Sequence, residues 1–80
     1  MKIPRNLRGS DLIKILIQKM DYKFIHQEGS HVILETNTPH HQRIAIPDHK
    51  FLRIGTLNSI LRSISNHKKT SKEDLIQLLD

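Results

Sequence analysis

The hydrophobic period changes twice along this chain of 80 residues, and that constrains the fold more than any other feature. Leu12, Ile13, Leu16, Ile17 and Met20 recur at three- and four-residue intervals, which predicts a helix over about residues 11–20 with one apolar face. Ser10 is its expected N-cap, and Asp11 suits the positive end of the helix dipole. At Tyr22 the period drops to two. Tyr22, Phe24 and His26 alternate with Lys23, Ile25 and Gln27 in a strand that ends at the turn Glu28-Gly29-Ser30, where Gly29 can take positive φ at no steric cost. A second strand is expected from His31 to about Thr36. The polar turn Asn37-Thr38-Pro39-His40 leads to a third, Gln42 to Ile46, stopped by Pro47-Asp48. Ile54, Leu57, Ile60, Leu61 and Ile64 then restore the helical period over about 54–64. Asn66-His67-Lys68-Lys69 reads as a polar break. Ser71-Lys72-Glu73-Asp74 matches a capping box with a short acidic partner, opening a short helix that carries Leu75, Ile76, Leu78 and Leu79.

Short loops make the three strands an antiparallel meander, and a three-stranded sheet needs a cover. Both longer helices are expected on one sheet face, with the other face open. The fold class is therefore α+β, a two-layer sandwich of order α-β-β-β-α with a short extra C-terminal helix, the layout of a double-stranded-RNA-binding domain. Residues 1–80 are expected to be one domain: a basic arm over 1–9, where Pro4 and Gly9 argue against regular structure, then the sandwich, then the short helix within 70–80.

The absence of cysteine excludes a disulfide scaffold, a cysteine zinc finger and a thiol nucleophile. No apolar run approaches the roughly 20 residues of a membrane span, and no signal-peptide core follows Met1, so the expectation is a cytoplasmic domain with no membrane partner. Charge is unevenly spread. Residues 1–69 hold twelve basic and five acidic side chains, a balance of +7, whereas Lys72 against Glu73, Asp74 and Asp80 gives −2 over residues 70–80. A basic body of this size favours a polyanion, most often nucleic acid.

Six histidines raise the question of a metal, but none is expected here. His40 and His41 are adjacent, and adjacent strand residues point to opposite faces; His49 lies eight residues beyond His41, a spacing unlike paired zinc ligands. His26 and His67 read as surface or edge histidines. His31 differs in position, because it opens the second strand directly after Gly29-Ser30. Strand parity groups it with Ile33 and Glu35. If Val32 and Leu34 meet Ile44 and Ile46 under the helices, His31 faces the open side.

Gly29-Ser30-His31-Val32-Ile33-Leu34, set between two expected strands, resembles the glycine–serine–histidine signature of the HicA toxins, bacterial mRNA interferases also called the YcfA-like family. Ile54-Gly55-Thr56-Leu57-Asn58-Ser59-Ile60-Leu61 resembles the start of that family's second helix. Ser10-Asp11-Leu12-Ile13-Lys14-Ile15-Leu16 and Ile46-Pro47 add to the likeness, which spans about residues 9–64. The resemblance implies an endoribonuclease of a toxin–antitoxin system, with His31 as its catalytic histidine and Gly29 and Ser30 as the turn that presents it. It also implies a HicB-type antitoxin as partner, expected to cover the His31 face, where Ile33 offers an apolar spot beside the histidine.

The chemistry such an enzyme needs is modest. RNA carries its nucleophile, the 2′-hydroxyl, beside each scissile phosphate, and an imidazole can take its proton. Cationic side chains then stabilise the developing charge on phosphorus, with no metal or other cofactor. Lys23, Arg43, Lys50 and Arg53, near the sheet or its exits, are the candidates for binding RNA, and each could equally be a solvated surface charge. Two alternatives stand beside this reading: a non-catalytic RNA-binding module of the same fold, and a protein-interaction domain using Ile33.

Overall fold

The computed structural model describes residues 7–79 and contains six elements. They are α1 (Gly9–Lys19), β1 (Lys23–Glu28), β2 (His31–Thr36), β3 (Gln42–Pro47), α2 (Ile54–Lys68) and α3 (Lys72–Leu78). The sheet is antiparallel in the order β1-β2-β3, as the short loops require. Val32 pairs with Ile46 and Leu34 with Ile44, so the apolar residues of β2 and β3 share one face. Leu12 and Leu16 of α1 and Leu57, Leu61 and Ile64 of α2 close over them in one buried cluster with Tyr22, Leu52, Leu75 and Ile76. The fold is the expected α+β sandwich, double-stranded-RNA-binding-domain-like in layout, with the opposite sheet face left uncovered.

Several expectations are corrected by contacts distant in sequence. α1 starts at Gly9, one residue before Ser10; its N-cap is Arg8, with no side-chain cap. The Gly9 N–H is taken instead by the His49 carbonyl, at 2.9 Å. Residues 1–6 of the expected basic arm lie outside the described residues, while Leu7 is buried and bonded through its carbonyl to the Leu52 N–H. Ile17, counted on the apolar face of α1, is exposed.

The pairing of β1 slips between Phe24 and His26, leaving Ile25 as an extra residue. Phe24 therefore lies on the helix side opposite Leu34, and His26 on the open side opposite Ile33, although simple alternation puts both on one face.

α2 runs on to Lys68, through the stretch expected as a polar break, and closes at Lys69 in a left-handed conformation (φ 52°). Its last two polar side chains are bound to the end of β2 and to the β2–β3 connection. His67, expected at the surface, is buried: its Nε2 lies 2.8 Å from the His40 carbonyl and its ring packs edge-on against that of His40. Lys68 Nζ donates to Thr36 Oγ1 at 2.8 Å and to the Thr38 carbonyl at 2.6 Å, and sits 5.0 Å from the Tyr22 ring centroid. Burial lowers the Lys68 pKa, with Asp21 opposing. Ser71 caps α3 as expected, accepting from the Asp74 N–H at 3.1 Å.

Candidate functional site

Gly29 takes φ 58° in the turn between β1 and β2, a conformation that favours glycine, and a Cβ there would meet nothing within 4 Å. Its need is thus conformational rather than steric. The turn delivers His31 to the first position of β2, opposite Glu28 on one side and Pro47 on the other. The parity of β2 points His31, Ile33 and Glu35 to the open face, and His31 is exposed. Ile33 is half-buried there, between His26 and Ala45.

His31 forms one wall of a groove of ≈ 460 Å³ where the sheet meets the β3–α2 connection and the first turn of α2. Pro47, His49, Phe51, Leu52, Arg53 and Thr56 complete the lining. The connection is fastened to the histidine turn: the Asp48 N–H donates to the Ser30 carbonyl at 2.6 Å. At the α2 end, Arg53 is an N-cap without a side-chain cap bond, and no acidic residue stands in the first turn. The positive end of the helix dipole and the Arg53 charge therefore add to one another at the groove that His31 lines. This arrangement can exchange a proton and hold a negative charge within one groove.

Of the four cationic candidates, the structure brings only Arg53 to His31. Lys23 and Arg43 pair with Glu35 across the sheet, four residues along β2, which is about 13 Å at about 3.3 Å per residue. Arg43 is also engaged: its Nη2 donates to Glu35 Oε2 at 2.8 Å, and His41 Nε2 lies 3.4 Å from the same oxygen. The Arg43 hydrogen bond, followed by that of His41, holds the Glu35 carboxyl below the usual carboxylate range. Lys23 lines a separate polar recess with Asp21, Glu35, Thr36 and Asn37. Lys50 is exposed on the connection and does not line the groove. Gly29 and Ser30 sit where the turn requires them.

His49, Phe51 and Thr56 were not among the sequence candidates. The signal that reaches them is register. Once Val32 and Leu34 are matched to Ile46 and Ile44, His31 falls opposite Pro47, and the residues just after Pro47 must lie beside it. Among the described residues, no three histidine or carboxylate side chains gather as metal ligands, and no helix is long and apolar enough to cross a membrane.

Compared with known protein families, residues 9–72 match the model described as the HicA toxin of bacterial toxin–antitoxin. No curated protein and no solved structure matches the chain.

Proposed function

The chain belongs to the HicA toxin family of bacterial toxin–antitoxin systems, and we propose that it is a metal-independent endoribonuclease that cleaves mRNA with His31 as its proton-transfer residue. The observation that carries this reading is the groove: an exposed imidazole on the family's glycine–serine–histidine turn shares it with the Arg53 guanidinium. His31 takes the proton of the 2′-hydroxyl, and Arg53 holds the charge that builds on the phosphoryl oxygens. DNA, lacking that hydroxyl, is spared.

Membership in the family brings an antitoxin partner. For this chain we assign a HicB-type antitoxin to the open sheet face, where it would bury His31 and Ile33 together and keep the host's RNA intact. A basic surface favours an acidic partner and speeds the encounter.

The test is His31→Ala. Its side chain is exposed, so folding should survive the change with a cost under about 1 kcal/mol, while RNA cleavage by the purified protein is lost. A folded His31→Ala protein that still yields fragments at the wild-type rate refutes the assignment. Wild-type protein that binds RNA and never yields product is a binding module instead.

A further inference from the structure

Cleavage through the 2′-hydroxyl requires two proton transfers. One proton leaves O2′ as it attacks phosphorus, and another must reach O5′ as the P–O5′ bond breaks. His31 accounts for the first. The groove that it lines contains a second imidazole, His49, which is also exposed.

Two backbone hydrogen bonds hold His49 in place. The Asp48 N–H to Ser30 carbonyl bond continues the β2–β3 pairing one step past His31 and Pro47. Alternation carried through that bond puts residue 49 on the face of His31, as its diagonal neighbour at about 7–8 Å between backbones. The second bond, from Gly9 N–H to the His49 carbonyl, ties the same residue to the start of α1. A diagonal separation of this size leaves room for a phosphate between two imidazoles, and in-line displacement puts O2′ and O5′ on opposite sides of phosphorus. The other groups are poorer donors. Arg53 does not release a proton in proteins, and His26 lies 3.5 Å from Glu28 on β1 and does not line the groove.

We propose that His49 is the general acid that protonates the leaving 5′-oxygen. The assignment rests on the ribonuclease reading above. His31 takes the O2′ proton, the O2′–P bond forms, the P–O5′ bond breaks, and the His49 imidazolium gives its proton to O5′. The products are a 2′,3′-cyclic phosphate and a 5′-hydroxyl end. His31 is left protonated and His49 neutral, and exchange with water restores both.

The experiment separates protonation of the leaving group from every other role. An RNA oligonucleotide that the wild-type protein cleaves is resynthesised with sulfur in place of O5′ at the cleaved position, because a thiolate leaves without being protonated. His49→Ala and His49→Gln should cleave ordinary RNA slower by on the order of 10²–10⁴-fold and cleave the sulfur substrate at the wild-type rate. The ratio of the two rates within one preparation does not depend on how much of a variant is folded. His31→Ala should fail on both substrates. If the His49 variants slow both substrates equally, or neither, His49 is not the acid, while the role of His31 stands. If His31→Ala cleaves ordinary RNA normally, the ribonuclease reading falls and this proposal with it.

Discussion

Replacing Gly9 by alanine reverses the sign that helix propensity alone would give. In the first turn of a helix, alanine is ordinarily the better residue by up to about 0.5–1 kcal/mol. A Cβ on residue 9, however, would run into the Pro47 carbonyl and lie 3.0 Å from both the Asp48 Cα and the His49 nitrogen. All three are backbone atoms, so relief requires moving the segment itself. Overpacking of this kind costs about 1–3 kcal/mol, and stretching the Gly9 N–H to His49 carbonyl bond adds about 1 kcal/mol. Net of the helical gain, Gly9→Ala should destabilise by about 1–3 kcal/mol, or roughly 5–20 °C in Tm for a domain of this size. Thermal unfolding followed by circular dichroism measures this directly. Gly55→Ala is the control, because a Cβ at that position of α2 would meet nothing within 4 Å, and its Tm should hold or rise slightly. Since the displaced segment carries His49 and part of the groove wall, RNA cleavage by Gly9→Ala should also fall at temperatures where the variant is folded. A Gly9→Ala protein as stable as wild type would refute the close approach of α1 to residues 47–49.

Three further outcomes follow from particular side chains. Burial pushes the Tyr22 phenol up to about 12, and its hydroxyl donates to Gln42 Oε1 at 2.5 Å; because the unfolded phenol titrates near about 10, this stabilisation is complete below that pH and is lost as pH rises toward 12. Tyr22→Phe should lack that alkaline decline in urea midpoints, and an identical decline in both proteins would show another group to be responsible. Arg43→Ala should raise the Glu35 carboxyl toward the ordinary range in an NMR titration; as a depressed carboxylate stabilises above its unfolded pKa and loses that contribution as pH falls, the variant should also lose less stability on acidification. Ile33→Asp should weaken the complex with the antitoxin in calorimetry while sparing RNA cleavage, and an unchanged affinity would move the antitoxin off the open face.

The parts of the fold that follow from local pattern were legible in the sequence, and those set by distant contacts were not. The three strands and the common face of Val32, Leu34, Ile44 and Ile46 follow from alternation, and the exposure of His31 follows from them. The end of α2 was hidden because Asn66-His67-Lys68 is polar, and nothing local shows that His67 meets the His40 carbonyl or that Lys68 reaches Thr36 and Thr38. The start of α1 was hidden for the same reason, its first N–H being satisfied by a residue forty positions away. The faces of β1 are not legible in the sequence because a bulge at Ile25 leaves no mark in a count of alternating residues. His49 was within reach of the register argument, but register ends with the strand. The direction of the chain after Pro47 is decided by the Asp48 to Ser30 bond.

The two ends of the sheet differ in how far their arginines are engaged, and this bears on where RNA would bind. At the end of β2 near Thr36, Arg43 and His41 lie on Glu35, and Lys68 is bound to Thr36 and Thr38. Arg43 and Lys68 thus already have oxygen partners, which a phosphate arriving there would have to displace. At the His31 end, Arg53 takes part in no salt bridge among the described residues, and the first turn of α2 beside it holds no carboxylate. A net charge of +5 brings a polyanion to the surface from any side. On the ribonuclease reading, what sets the groove apart is what its cation stands with: Lys23 at the other end also takes part in no salt bridge among the described residues, but it lies in a recess with Asp21 and Glu35, whereas a phosphate at Arg53 would enter a groove that the His31 imidazole also lines.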